Sequence, residues 1–163
     1  MADRTDTLLI AWHSRTGASD AMARAAAQGA GDRARLMRCD EVDGDAIMAA
    51  AGYLFVCPEN LATMSGLMKE MFDRTYYDVL GRIEGRPYAT AIAAGSDGEG
   101  AQRQIDRIAK GWRLKRVAEP LIIGTSAQTA EEIWAPKTLG EADLAQCRDL
   151  GGGLAEGIAA GIF

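Results

Sequence analysis

The sequence contains few of the residues on which metal sites and disulfide frameworks depend. It has one histidine and three cysteines, Cys39, Cys57 and Cys147, which lie far apart and form no CxxC pair. An odd, sparse set of cysteines gives no disulfide framework and is typical of a reducing compartment. A single histidine also disfavours a metal site built on imidazoles. We therefore expect no disulfide framework and no bound metal.

Long apolar segments and an excess of positive charge are also missing. No apolar run approaches the roughly 20 residues of a membrane-spanning helix, and the N-terminal Met-Ala-Asp-Arg-Thr-Asp lacks the layout of a signal peptide. The formal net charge is −5, and Asp106 interrupts the basic residues between Arg103 and Arg116, as on a solvated helix face. We expect a cytoplasmic protein with neither membrane nor nucleic acid as a partner.

Apolar segments alternate with helical patterns along the 163 residues, of which 48% are hydrophobic. This length and composition predict one folded domain, residues 1–163. Strands are predicted at residues 7–12, 33–38, 52–57, 87–94 and 114–124, and helices at residues 16–28, 42–50, 65–77, 101–112 and 140–160. Such alternation predicts an α/β fold with a parallel sheet between two helical layers.

Glycine and proline suggest where several of these elements end. Pro58 is expected to stop the third strand, and Gly29 and Gly31 are expected to end the first helix. Pro120 predicts an edge or a bend in the early part of the fifth strand. The three consecutive glycines at residues 151–153 weaken the last helix by roughly 1 kcal/mol each relative to alanine, which predicts a kink or a break.

The loop from Ser14 to Ser19 places three hydroxyl side chains around Gly17, between the first strand and the first helix. Free N–H groups and the helix dipole favour an anion at such a position. The loop lacks the Gly-Lys-Ser/Thr of a P-loop, the GxGxxG of a dinucleotide site and the cysteine of a phosphatase. A plain strand–turn–helix connection with a capping threonine remains the alternative.

Two further loops, Pro58–Met64 and Gly95–Gly100, follow the third and fourth strands. If the strand order is 2-1-3-4-5, all three loops meet at one edge of the sheet, where ligands of open α/β sheets bind. This convergence predicts a shared binding site.

The three loops resemble known flavin-binding segments. Ser-Arg-Thr-Gly-Ala-Ser at residues 14–19 is similar to the flavodoxin-type phosphate loop. Pro-Glu-Asn at residues 58–60 and Ser-Gly-Leu-Met-Lys-Glu-Met-Phe-Asp-Arg at residues 65–74 resemble the segment after the third strand in NAD(P)H-dependent FMN and quinone reductases. Gly-Ser-Asp-Gly-Glu-Gly at residues 95–100 resembles their third flavin loop. The resemblance implies a flavodoxin-like three-layer α/β/α sandwich, with a five-stranded parallel sheet in the order 2-1-3-4-5.

The resemblance also implies an FMN site and assigns its residues. The phosphate is expected at Ser14, Thr16 and Ser19, and at the backbone of Arg15, Gly17 and Ala18. The ring is expected to be flanked by Pro58, Glu59, Asn60, Leu61, Ala62, Thr63 and Met64, and bordered on its pyrimidine side by Gly95, Ser96, Asp97 and Gly98. The flavin would carry out the redox chemistry, with no catalytic side chain assigned.

Two functions follow from the resemblance. The first is an oxidoreductase that takes hydride from NAD(P)H and passes electrons to a flavin, a quinone or a similar acceptor, in a homo-dimer or tetramer. The second is an electron-carrier flavodoxin that docks to redox protein partners. Carriers usually stack aromatic residues on the ring from the second and third loops, whereas these loops hold only Leu61 and Met64 as large apolar residues. An open ring face is therefore expected, which favours the reductase.

Three residues near these loops have two interpretations each. His13 is expected either to support the end of the first strand or to bind near the cofactor. Tyr76 and Tyr77 are expected either to line a substrate pocket or to pack in the core at a helix end.

Overall fold

The computed structural model describes residues 6–163, so the interpretation of the N-terminal segment falls almost entirely outside the described residues. The strands are β1 (Leu8–Trp12), β2 (Ala34–Arg38), β3 (Gly52–Asn60), β4 (Thr63–Met64), β5 (Pro87–Ala94), β6 (Lys115–Arg116) and β7 (Leu121–Gly124). The sheet runs β2-β1-β3-β5, and both β6 and β7 pair with the outer side of β5. All pairs are parallel except β3–β4, so the predicted parallel sheet and its order are confirmed.

Six helices cover the two faces of this sheet in the described part of the chain. They are α1 (Ala18–Ala30), α2 (Gly44–Ala49), α3 (Gly66–Val79), α4 (Glu99–Gly111), α5 (Ala130–Trp134) and α6 (Glu141–Ala159). Helices α1 and α6 share one apolar core with the sheet, whereas α2, α3 and α4 contribute to the other. None of the helices from residue 6 onwards has the length and apolar character that crossing a membrane requires.

Strand β3 feeds both cores because successive side chains of a strand point to opposite faces. Tyr53, Phe55 and Cys57 belong to the core under α2, α3 and α4, whereas Leu54 and Val56 belong to the core under α1 and α6. All five are almost completely buried, as the continuous apolar run predicted for a central parallel strand.

The predicted fifth strand is divided into β6 and β7. The N–H of Val117 still bonds to the carbonyl of Tyr88, but pairing resumes only at Leu121. Pro120 lies in the gap and has no N–H for a ladder hydrogen bond, which explains the break. The predicted bend is therefore confirmed, and Leu121–Gly124 is the more buried of the two pieces.

The prediction that Pro58 stops β3 is wrong. Pro58 is still in register with Ala93 of β5, and the strand continues to Asn60 before it folds back on β4. The carbonyl of Pro58 accepts a hydrogen bond from the N–H of Ser65, so Pro58 keeps one backbone hydrogen bond there although it has no N–H to donate. The second loop is thus a hairpin that extends the sheet towards the predicted site.

Gly31 follows the last residue of α1, as predicted, but Gly29 and the three consecutive glycines of α6 do not end or break their helices. Helix α1 continues through Gly29 and ends before Gly31, and α6 is continuous across Gly151 and its two glycine neighbours. A Cβ on Gly29 would overlap the backbone of Arg148, and one on Gly151 would overlap the carbonyl of Ala26. These glycines allow the two helix backbones to touch, and tertiary contact therefore offsets the low helix propensity.

Candidate functional site

A cavity of about 690 Å³ opens at the carboxyl ends of β1, β3 and β5, a volume within the range of small-molecule sites. The three predicted loops do meet there. Lining residues that were predicted are Ser14, Arg15, Thr16, Ala18, Ser19, Pro58, Glu59, Asn60, Leu61, Ala62, Gly95 and Ser96. Lining residues that were not predicted are Ala93, Ala94, Thr125, Ala127, Ile133, Trp134 and Lys137.

The first loop forms the start of α1. Gly17 has a φ of 105°, a left-handed conformation that glycine adopts without strain. The hydroxyl of Ser14 accepts a hydrogen bond of 3.0 Å from the N–H of Gly17 and so closes the loop. Bonding within the helix begins with the N–H of Ala21 and the carbonyl of Gly17. The N–H groups of residues 18–20 therefore remain available for an acceptor outside the helix.

Ser19 is the most informative residue of this loop. It is 1% exposed, and its Oγ has no hydrogen-bond partner in the described structure. A buried hydroxyl without a partner loses about 1–3 kcal/mol of hydration, and Ser19 lies at the cavity wall. The loop therefore has an unused donor that an acceptor in the cavity could satisfy, and its neutral donors suit the oxygens of a phosphate.

The second loop is a tight hairpin whose two central residues have positive φ. Leu61 and Ala62 have φ angles of 53° and 63°, although both carry a Cβ, so the turn stores backbone strain. Leu61 is 98% exposed at the mouth of the cavity. Such strain persists only where neighbouring contacts hold the turn in place.

Glu59 supplies one of these contacts. One of its carboxylate oxygens accepts a hydrogen bond of 2.9 Å from the N–H of Gly98, and the other accepts one of 3.0 Å from the N–H of Ala101. A carboxylate at this position satisfies free N–H donors at the start of α4, and its negative charge interacts favourably with the positive end of the helix dipole. Gly100 lies so close that a Cβ there would overlap the carbonyl of Ala62. Glu59 lines the cavity, as predicted for a residue that flanks the ring, and its carboxylate also joins the second loop to the third.

Five of the predicted binding residues do not line the cavity. Gly17 and Gly98 act as helix caps, and Gly98 is buried beneath the third loop. Met64 belongs to the core under α3, and its N–H donates to the side chain of Gln104. Thr63 and Asp97 are exposed. The assignment of these five residues to a cofactor stays a prediction.

The fourth wall of the cavity comes from the segment Thr125–Lys137, which we call the strap. The sequence showed no firm pattern over residues 125–136, but the structure forms α5 there, with a capping box between Thr129 and Glu132. That Thr-x-x-Glu spacing was the one available signal for the helix. The strap places Ile133 and Trp134 beside the cavity, with Trp134 78% exposed. An aromatic residue therefore reaches the site from outside the two loops in which none was found.

His13 lies beside the first loop but does not line the cavity. Its Nδ1 is 2.8 Å from the Oγ of Ser65, the residue that precedes α3. Ser65 holds the N-cap position of α3, but its hydroxyl bonds to His13 and makes no cap hydrogen bond. Burial lowers the pKa of His13 below 6.5, and the charge of Arg15 lowers it further. The structural interpretation of His13 is favoured.

The free energy of unfolding is expected to decrease as the pH falls from about 7.5 to about 5.5, because the unfolded chain protonates His13 more readily than the folded chain does. A base whose pKa is lowered by folding contributes stability above its ordinary pKa and loses it below. Urea unfolding at both pH values measures this loss. His13→Asn retains a partner for Ser65 but does not titrate, so its pH dependence should be smaller. An unchanged pH dependence in His13→Asn would contradict this assignment.

The remaining candidates lie away from the cavity. Cys57 is fully buried, and burial raises the pKa of its thiol to about 12, as expected for a core residue without a nucleophilic role. Tyr76 and Tyr77 are 39% and 83% exposed on α3, so the interpretation that they pack in the core is wrong. Neither lines this cavity, and their role in a substrate pocket stays a prediction.

Sequence comparisons indicate similarity to flavin proteins. Residues 44–123 match the family model described as NADPH-dependent FMN reductase. This range includes the second and third loops but neither the first loop nor the strap. A flavodoxin of Aquifex aeolicus (strain VF5) is 31% identical over 97 residues, which are 57% of this chain and 52% of that protein. The aligned part thus spans about half the length of the curated relative.

Solved structures share the whole architecture. A flavodoxin from the domain Archaea has a TM-score of 0.75 at 18% identity and covers 94% of this chain and 99% of its own. A WrbA-like flavodoxin from Agrobacterium tumefaciens has a TM-score of 0.74 at 16% identity and covers 96% and 99%. The flavodiiron protein from Giardia intestinalis has a TM-score of 0.77 at 18% identity, and 37% of its chain is covered. At these identities the likeness shows the fold.

Proposed function

We propose that this chain, which has the flavodoxin-like fold, binds FMN in the cavity beyond β1, β3 and β5. The observation that carries the proposal is Ser19, a buried hydroxyl at a helix N-terminus that has no partner and faces a cavity. Its loop carries the hydroxyl pattern of a flavodoxin-type phosphate loop. The similarity to an FMN reductase family over residues 44–123 supports the same cofactor.

Three segments would share the cofactor between them. The hydroxyls of Thr16 and Ser19 and the free N–H groups at the start of α1 would hold the phosphate. The hairpin at Leu61 and the backbone at Gly95 would flank the ring, because both line the same cavity. A Cβ on Gly95 would lie 3.1 Å from the carbonyl of Ala127, so little space separates the third loop from the strap.

The proposed activity is the oxidation of NAD(P)H with transfer of electrons to a flavin, a quinone or a similar acceptor. FMN, when bound, supplies the hydride acceptance and the electron transfer. The chain would bind and orient it and leave one side of the site open for a second planar molecule. The reductase family similarity and the lack of aromatic residues in the second and third loops support this activity.

Electron carriage between proteins is the second candidate. The similarity to the Aquifex aeolicus flavodoxin supports it, and so does the exposure of Leu61 and Trp134 at the cavity mouth, where apolar side chains suit protein docking. In this case Trp134 would cover the ring, as loop aromatics do in carriers. The net charge of −5 is too small to decide between the two.

Anaerobic reduction tests the proposal. The chain is first reconstituted with FMN, then mixed with NADH or NADPH while the flavin absorbance is followed. Rapid bleaching is expected for the reductase. Bleaching only when a separate reductase is added would support the carrier instead. A chain that retains no FMN after reconstitution would overturn both functions.

A further inference from the structure

We propose that Lys137, on the strap, is a cationic partner of the cofactor phosphate, an inference that rests on the FMN binding proposed above. Lys137 lies 121 residues from Thr16 in the sequence and outside the range that matches the reductase family. No motif of the first loop includes it. Its placement beside that loop arises from the path of the strap alone.

The backbone brings Lys137 to the first loop. Its N–H donates a hydrogen bond of 2.7 Å to the carbonyl of Thr16. Its carbonyl lies 3.5 Å from the position that a Cβ on Gly17 would occupy. The strap is therefore attached to the phosphate loop through main-chain atoms. A change of the Lys137 side chain leaves these atoms in place.

The ammonium group is held at the cavity wall by carbonyl oxygens. Its Nζ donates to the carbonyl of Ala135 at 2.6 Å and to that of Ile133 at 3.1 Å. Both carbonyls belong to the end of α5, where cations are favoured. The Nζ is also 3.5 Å from the Oγ1 of Thr16. Two of its three donors thus make short hydrogen bonds to carbonyls, and the third is directed at the Thr16 hydroxyl in a long one, so an anion held by that hydroxyl would lie beside the ammonium group.

The charge of the site supports a second cation there. A phosphate monoester carries about −1.5 to −2 charges near neutral pH. Hydroxyls and N–H groups of the first loop are neutral. Among the described residues that line the cavity, Arg15 and Lys137 are the cationic ones, and both lie at the end formed by the first loop. Arg15 is exposed, whereas Lys137 is half-buried and less well screened by water.

A helix-capping role of Lys137 alone would also explain its two carbonyl contacts. Comparing a ligand that has a phosphate with one that lacks it separates this role from phosphate binding. Riboflavin has the ring and sugar chain of FMN but no phosphate. The experiment measures the dissociation constants of FMN and riboflavin by fluorescence quenching for the wild type, Lys137→Met and Lys137→Arg. Lys110→Met, at the exposed end of α4, is the control.

Lys137→Met is expected to weaken FMN binding roughly 10- to 100-fold, the range of a hydrogen bond to a charged group, and to leave riboflavin binding unchanged. Lys137→Arg should recover most of the FMN affinity, and Lys110→Met should behave as the wild type. Added salt should weaken FMN binding less in Lys137→Met than in the wild type.

Three results would overturn the inference while FMN binding by the wild type stands. In the first, Lys137→Met binds FMN as tightly as the wild type. In the second, it loses FMN and riboflavin equally, which indicates a structural role. A wild type that binds riboflavin and FMN equally would show no phosphate contribution and overturn it too. A wild type that binds neither would overturn the proposed function itself, and with it the inference.

Discussion

Replacing Thr16 with valine and Ser19 with alanine together is expected to raise the dissociation constant for FMN by about two orders of magnitude or more. Each lost hydrogen bond to a charged group costs about 1.5–3 kcal/mol, and both substitutions preserve shape. The chain without cofactor should be at least as stable as the wild type. Ser19 is buried without a partner, so alanine removes an unsatisfied hydroxyl.

Two measurements check this pair of opposite effects. Fluorescence titration gives the FMN affinity, and urea unfolding of the cofactor-free chain gives its stability. Thr138→Val is the matched control, because Thr138 follows the strap, is exposed and does not line the cavity. Riboflavin affinity should stay near that of the wild type. Unchanged FMN affinity in the double variant would show that the first loop is not the phosphate site.

Gly151→Ala is expected to destabilise the chain by about 1–3 kcal/mol, the usual range for overpacking a core. The new Cβ would overlap the carbonyl oxygen of Ala26, which is backbone and cannot rotate away. Helices α1 and α6 would have to separate, and Ala18, at the start of α1, would be displaced from the cavity wall. Part of the loss should therefore appear as weaker FMN binding.

Gly153→Ala, two residues further along the same helix, is the matched control. Gly153 is exposed, and a Cβ there meets nothing within 4 Å. Alanine is favoured over glycine in a helix by about 1 kcal/mol, so this variant should be more stable than the wild type. Urea unfolding of both variants gives the comparison. Equal changes in the two would show that helix propensity, and not close packing with α1, governs the glycine segment.

Contacts between the second and third loops hold the wall of the cavity in place. Glu59 links the hairpin to the start of α4, and Gly100 admits the hairpin turn against that helix. These contacts keep the strained turn at Leu61 and Ala62 in position. The second and third loops are therefore joined to each other, whereas the strap is attached to the first loop through Lys137.

The strap changes the comparison between the two candidate functions. From the loops alone, no aromatic side chain was expected at the site, which favoured an open ring face. Trp134 reaches the cavity mouth and is largely exposed. From this position Trp134 could stack on the flavin ring, or it could lie beside the ring and leave room for a nicotinamide to enter. The reduction experiment separates these cases because only the second allows direct bleaching by NAD(P)H.

The sequence by itself determined the parallel α/β fold and the convergence of three loops. Continuous apolar runs such as Gly52–Cys57 and hydroxyl or glycine loops after them are local signals, and parallel strands bring their carboxyl ends together. The hydroxyls of Thr16 and Ser19 were assigned to the phosphate through the resemblance to a flavodoxin-type loop. That assignment was possible from sequence because the whole motif lies in consecutive residues, 14–19.

Tertiary structure alone decided the direction of Glu59, the position of Lys137 and the continuity of α6 through Gly151. Each depends on contact with a residue more than 35 positions away: the N–H of Gly98, the carbonyl of Thr16 and the carbonyl of Ala26, respectively. From local sequence alone, a glycine is expected to weaken a helix, and a carboxylate in a loop is expected to face solvent or a ligand. The helix-breaking tendency of glycine amounts to about 1 kcal/mol, which is small enough for packing between distant segments to offset it.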